Sequence, residues 1–196
     1  GEKVCLLDVG CGEGYYTSRM AAVLDELPVQ EQPPVLGFDI SKFAVKAAAK
    51  KYGKQVEFAV GSTFHIPAEA GVSFCAVNVF APVVPEELRR VTAPGGWMIL
   101  AVPSQRHLFG LKEILYDAPY ENEKRDTEYP GFRFLERRPV RGELLLEEPG
   151  LIQDLFSMTP YYWKTPAEGG ERGDRALERR GIWWMEGEKR LLCWGG

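Results

Sequence analysis

The chain has 196 residues, 45% of them hydrophobic and 27% charged, with a formal net charge of −4. This suits one domain, 1–196, with a sizeable core, and excludes a membrane helix, since no apolar run reaches the roughly 20 residues needed, or a signal peptide. Cys5, Cys11, Cys75 and Cys193 form no C-x-x-C pair, which excludes a zinc ribbon within the chain and points to a reducing, cytoplasmic setting, while the acidic balance argues against a basic nucleic-acid face.

The predicted elements begin with an apolar strand, Val4 to Val9, then the turn Gly10-Cys11-Gly12-Glu13-Gly14 and a helix from Tyr15 to Asp25. Glycines at alternate positions let the backbone turn sharply and let a ligand approach with no Cβ in the way. The pattern from Asp8 is D-x-G-x-G-x-G, which resembles the first motif of class I S-adenosylmethionine-dependent methyltransferases. Dinucleotide enzymes place their third glycine one position later. Asp8 reads as a strand-end acceptor bracing the turn, compatible with an anion beside the ligand's ammonium. Glu13 is either a cofactor contact or a first-turn acid favoured by the helix dipole.

Pro28 to Pro34 breaks the chain before a second strand, Val35 to Phe38, which ends in Asp39. A carboxylate there either accepts both hydroxyls of a ribose or caps the next helix, Lys42 to Tyr52, with Ser41 an equal candidate for the cap. Val56 to Val60 is strand three, and Gly61, Ser62 and Thr63 at its end are placed to line an adenine pocket, with His65 read as loop structure. Phe74 to Phe80 is strand four. The segment Asn78-Val79-Phe80-Ala81-Pro82 departs from the Asn/Asp-Pro-Pro-Tyr/Phe motif of exocyclic-amine methylation, which favours a ring-nitrogen target; Phe80 either stacks on a base or packs on the core. A short helix, Glu86 to Val91, precedes the turn Pro94-Gly95-Gly96 and strand five, Trp97 to Val102. Alternation of this kind predicts an α/β fold, a parallel sheet with helices on both faces and ligands at the carboxyl ends of the strands.

The second half is less regular. Leu108 to Tyr116 reads as an amphipathic helix, Asp117 to Pro130 as a mobile polar insertion, and Phe132 to Val140 with Arg141 to Leu146 as a strand and an adjoining extended segment. Leu151 to Phe156 is a short helix and Thr165 to Arg180 a charged, glycine-rich stretch. Ile182 to Met185 and Lys189 to Trp194 read as strands around a Glu186-Gly187-Glu188 turn.

Taken together, Gly10-Cys11-Gly12-Glu13-Gly14-Tyr15-Tyr16-Thr17, Phe38-Asp39-Ile40-Ser41-Lys42, Lys46 to Lys50, Pro94-Gly95-Gly96-Trp97, Arg106-His107-Leu108 with Leu111-Lys112, and Met158-Thr159-Pro160 resemble the RlmA family. Those enzymes methylate N1 of a guanine in a hairpin of 23S ribosomal RNA. The resemblance implies a Rossmann-like class I fold, a mostly parallel seven-stranded sheet whose last strand is antiparallel. It implies S-adenosylmethionine as cofactor, held by Asp8, Gly10, Cys11, Gly12, Glu13, Gly14, Asp39, Ile40, Ser62, Thr63, Asn78 and His107, and no metal in this chain. The family normally opens with a four-ligand zinc ribbon, which this chain lacks, so the expectation is the methyltransferase domain alone, with RNA contacts residing partly on the ribbon.

Transfer is a direct displacement, and N1 of guanine carries a proton, so a general base is wanted; Asp117 and Glu113 are its candidates. Arg106 and Lys112 are candidates for RNA phosphates, and Tyr116, Tyr161, Tyr162 and Trp163 for receiving an extruded base. A homodimer is left open. Competing readings are a methyltransferase acting on a small quinone-like acceptor and a cofactor-binding domain without catalysis.

Overall fold

The computed structural model describes residues 4–122, 128–146, 151, 154–155, 157–159 and 183–195. The elements in order are β1 (Cys5–Val9), α1 (Tyr15–Asp25), β2 (Val35–Asp39), α2 (Lys42–Tyr52), β3 (Glu57–Val60), β4 (Ser73–Val79), α3 (Pro85–Val91), β5 (Thr92–Pro103), α4 (Phe109–Leu115), β6 (Arg133–Leu146) and β7 (Trp183–Gly195). Strand order is β3-β2-β1-β4-β5-β7-β6. The first five strands pair in parallel, with Leu7 opposite Leu36 and Ala76, Gly37 opposite Phe58, and Val77 opposite Ile99. From β1 the chain winds outward to β2 and β3, then returns to β4 on the other side. The carboxyl ends of β1 and β4 thus flank the crevice where such sheets bind ligands.

Burial explains the layering. All five residues of β1 are buried, and they part by a period of two onto the two faces of the sheet. Leu7 and Val9 join Phe38, Ala76, Met98 and Leu100 in one cluster, covered by Leu88 and Val91 of α3. Leu6 joins Val35, Cys75 and Val77 in the other, covered by Ala21 and Leu24 of α1. Helix α2 begins where Ser41 accepts a hydrogen bond from the Ala44 amide at 3.3 Å, and closes with Lys50 and Lys51 in its last turn, where the dipole favours cations. The cap is therefore Ser41.

Several boundaries differ from expectation. The Pro94-Gly95-Gly96 turn lies inside β5, not before it: Ser73 pairs with Thr92 and Cys75 with Trp97, so a two-residue step on β4 faces a five-residue step on β5. The segment bows out as a bulge, with Gly95 at φ +75°. β4 stops at Val79, because Phe80 turns to φ +66°. β6 and β7 each run unbroken, so Arg141 continues β6, and Glu186-Gly187-Glu188 continues β7 without a turn.

The chain packs as two compact units, Gly1–Val102 with Asp126–Arg138 and Leu191–Gly196, and Pro103–Arg125 with Pro139–Arg190. No described helix is long and apolar enough to cross a membrane. Part of the 117–130 insertion, half of the Leu151–Phe156 helix, Tyr161, Tyr162, Trp163 and the Thr165–Arg180 stretch lie outside the described residues.

Candidate functional site

Four loops at the carboxyl ends of β1 to β4, all within the first unit, enclose a cavity of about 320 Å³. β1 contributes Gly10, β2 contributes Asp39 and Ile40, β3 contributes Gly61 to Phe64, and β4 contributes Val79 to Pro82. Of the residues singled out from sequence, the cavity brings together Gly10, Asp39, Ile40, Gly61, Ser62, Thr63 and Phe80. Asp8, Cys11, Gly12, Glu13, Gly14 and Asn78 stand behind or beside that wall.

The glycine turn is tied down from within. The amides of Gly10 and Cys11 both donate to the Phe38 carbonyl at 2.9 Å, and that of Gly14 donates to Cys11 O at 3.0 Å. The Gly12 amide donates to Asp39 Oδ2 at 2.9 Å, while Asp39 Oδ1 accepts from the Ser41 amide at 2.8 Å. Asp39, not Asp8, is the brace of the turn. Asp8 instead accepts from Thr17 Oγ1 at 2.6 Å, fixing the first turn of α1 to the strand end. Burial pushes the Asp8 carboxyl up to about 6 against the pull of Thr17, and the charge of Asp39 adds to the rise. The Cys11 thiol, buried and facing both carboxylates, is pushed up to about 12, so it is a packing group and not a nucleophile.

With four turn amides engaged inside the protein, the turn serves a ligand through the space it leaves. An added Cβ at Gly12 (φ +53°) would meet no atom within 4 Å, whereas one at Gly10 would lie 2.5 Å from Ala81 Cβ. Gly12 faces open space; Gly10 lets the β4 loop close against the turn.

That β4 loop is strained. Phe80 adopts the left-handed region at φ +66°, where a bulky residue pays in sterics, and it is 46% exposed at the cavity. Buried Asn78 enforces the geometry: its Oδ1 accepts from the Ala81 amide at 3.0 Å and its Nδ2 donates to Pro82 O at 3.3 Å. The β3 loop is a tight turn, His65 N donating to Ser62 O at 3.1 Å and Phe64 N to Ser62 Oγ at 3.2 Å, which gives His65 the loop role expected of it. Beyond it Ile66 N donates to Glu87 Oε2 at 2.7 Å, and Arg90 holds the Ile66 and Ala68 carbonyls. The Arg90 hydrogen bond draws the Glu87 carboxyl down to about 2.

Arg106, His107, Lys112, Glu113, Tyr116 and Asp117 belong to the second unit. Glu113 and Asp117 are exposed. Arg106 is exposed too, 3.4 Å from Glu121 and stacked 4.3 Å above the Phe109 ring. His107 is half-buried, its amide donating to Ser104 O at 3.2 Å. Lys112 requires a correction as a phosphate contact. Its side chain is fully buried, Nζ donating at 2.8 Å to both Tyr120 O and Asn122 Oδ1, and burial lowers its pKa. It laces α4 to the segment that follows instead of facing a polyanion. Tyr116 packs at a tilt on Tyr120, ring centroids 5.5 Å apart. Sequence reasoning missed Phe64, Ala81 and Pro82 as cavity walls; the oddly ordered Asn78–Pro82 segment was the available signal.

The model of a methyltransferase domain matches residues 2–131, most of the chain and every cavity residue. The chain belongs to the methyltransferase-domain family. S-adenosylmethionine is the methyl donor this membership implies, and the cavity fits its nucleoside end: a carboxylate at the end of β2, two hydroxyl side chains in the loop after β3, and apolar walls at Ile40 and Phe80. A 23S rRNA (guanine(748)-N(1))-methyltransferase of Streptomyces fradiae is 35% identical over 186 residues, 93% of this methyltransferase domain and 63% of that protein. The chain thus spans less than two thirds of that relative. Among solved structures, the protein BH2331 of Bacillus halodurans superposes with a TM-score of 0.61 at 17% identity, covering 100% of this chain and 93% of that one. YcgJ of Bacillus subtilis gives 0.58 at 14% identity, covering 99% and 92%. These two likenesses are of fold.

Proposed function

We propose that this methyltransferase domain transfers a methyl group from S-adenosylmethionine to N1 of a guanine in 23S ribosomal RNA. The observation that carries the substrate is the 35% identity, over 93% of the chain, to a protein named for that reaction. Asp39 at the end of β2 would hold the ribose hydroxyls, Ser62, Thr63 and Ile40 the adenine, and the turn from Gly10 to Gly14 the methionine end, with Cys11, Glu13 and Asn78 shaping that wall; His107 is a further proposed cofactor contact. The bound donor supplies a methyl group already activated by its sulfonium. What remains for the protein is to align acceptor and donor, exclude water and receive the N1 proton. Glu113, exposed on α4, and Asp117, exposed just after it, are the proposed proton acceptors, and Arg106 and Tyr116 the proposed RNA contacts. The reading includes a seven-stranded sheet with an antiparallel last strand, a single working domain and a cytoplasmic location, where ribosomes are.

A second reading, transfer to a small quinone-like acceptor, draws on one observation: among the described residues, no lysine or arginine lines the cavity. Calorimetry of the 196-residue chain with S-adenosylmethionine tests the shared half of both readings. Radiolabelled methyl transfer then separates them. Label in a 23S transcript with a primer-extension stop at one guanine supports the first; label only in a quinone-like acceptor overturns it.

A further inference from the structure

Helix α2 carries a charge pattern that its own stability does not explain. Lys42, Lys46 and Lys50 follow one another at four-residue intervals, all exposed, and the helix contains no Asp or Glu. Like charges at this spacing destabilise a helix, and Lys42 sits in the first turn, where the dipole disfavours a cation. By contrast, α3 has Glu86 and Glu87 in its first turn and Arg89 and Arg90 in its last, with Glu87 paired to Arg90 at 2.7 Å. Among the described residues the ion pairs fall on Arg90, Arg106 and Arg138, and none falls on the α2 lysines. Only Lys50, with Lys51, is placed where the dipole gains from it.

The three ammonium groups therefore form a ridge about 12 Å long at 1.5 Å per residue. Its first member lies two residues from Ile40, a wall of the cavity. Near the far end the Tyr52 phenol pKa is lowered, most by the Lys51 hydrogen bond and less by that of Ser18 and the charges of Lys51 and of Arg19 in α1, so two further cations stand near that end. In a chain of net charge −4 this is a local concentration, not an overall bias.

We infer that the exposed Lys42–Lys46–Lys50 ridge of α2 is a docking surface for the phosphate backbone of an RNA. The assignment rests on the rRNA reading above and adds to it a surface on this domain. Phosphates laid along the ridge relieve the lysine repulsion, and the phosphate term is sequence-independent and salt-sensitive.

The test is fluorescence anisotropy with a fluorescein-labelled hairpin transcript of 23S rRNA, over a range of salt concentrations. It compares the whole chain with the triple variant Lys42→Gln, Lys46→Gln, Lys50→Gln. Glutamine keeps helix propensity and removes the repulsion, so the melting temperature is expected to hold or rise. Loss of three phosphate contacts predicts a Kd at least tenfold weaker near 100 mM salt and a log K against log salt slope shallower by about 2 to 3. Calorimetry with S-adenosylmethionine should be unchanged, and the triple Lys→Arg variant should bind RNA as the unmodified chain does. An unaltered Kd and slope overturn the ridge, and if methyl transfer to 23S rRNA persists the substrate reading stands without it. Loss of S-adenosylmethionine binding in the triple variant also overturns it, since the effect then runs through the cavity. If the unmodified chain ignores RNA at low salt, or binds only vesicles of anionic phospholipid, the ridge falls; label in a small acceptor alone would then show that the substrate reading has failed too.

Discussion

β1 and β4 lie side by side in parallel register, Val9 opposite Asn78, yet they leave the sheet by different means. Past β1 the chain turns at Gly10, φ +79°, with no side chain to strain, and backbone amides bonded to Phe38 O and Asp39 hold the turn. Past β4 the chain turns at Phe80, φ +66°, and the side chain of Asn78 forces it. One loop has a shape native to its residues; the other has a shape imposed by a neighbour. They meet where the hydrogen atom of Gly10 faces Ala81, so the second depends on the first.

The sharpest way to break this contrast is Gly10→Ala. The new Cβ would stand 2.5 Å from Ala81 Cβ at a left-handed φ, which together cost roughly 3 kcal/mol. Urea unfolding should show that loss, and calorimetry should show at least a hundredfold weaker S-adenosylmethionine binding; wild-type values would mean the two loops are independent. Next in size is the strand end itself. Because the folded Asp8 carboxyl sits near 6, above its ordinary value, the folded state holds its proton longer than the unfolded chain does. Its contribution is therefore full below about pH 4, is lost as pH rises to about 6, and is flat above. Relative to Asp8→Asn, which keeps an acceptor for Thr17, the wild type should lose about 2–3 kcal/mol across that window in urea titrations at fixed pH. A constant difference would refute the buried carboxylate.

Asn78→Ala leaves the Ala81 amide and the Pro82 carbonyl without their partner, a loss of about 2 kcal/mol. Hydrogen exchange should quicken at Ala81 while the Gly10 and Cys11 amides keep their protection; loosening of both loops would show that Asn78 supports the two alike. The smallest effect is Phe80→Asn. Asparagine tolerates the left-handed region, and the ring is 46% exposed, so stability should rise by about 0.5–1 kcal/mol. Denaturation midpoints will tell, and a fall would mean the ring packs more than it strains.

Those two loops also show what a sequence makes legible. The glycine turn could be read because glycine is chosen for its backbone, and spacing conveys backbone. α1 and α2 could be read to the residue because Gly14 and Ser41 mark their starts, and Lys50, Lys51 and Gly53 the end of α2. That Asp39 and not Asp8 braces the turn was hidden, since either carboxylate satisfies the pattern and only β1–β2 register brings Gly12 to Asp39. Lys112 was misplaced for a similar reason: a lysine on an amphipathic helix reads as surface until its carbonyl partners, eight and ten residues onward, fold back over it. The bulge in β5 reads as a turn, because proline and glycine give the same local signal whether a strand is starting or merely skipping.

That bulge has a consequence for how the chain can change length. Pro94, Gly95 and Gly96 stand outside the β4–β5 ladder, while from Trp97 onward each residue has a fixed partner, up to Ala101, whose carbonyl receives the Phe80 amide at 3.3 Å. An amino acid inserted or deleted among these bowed positions, which with Ala93 number four, is absorbed there. The same edit after Trp97 would rotate Met98 and Leu100 out of the core, and would pull the anchor from under the cavity wall.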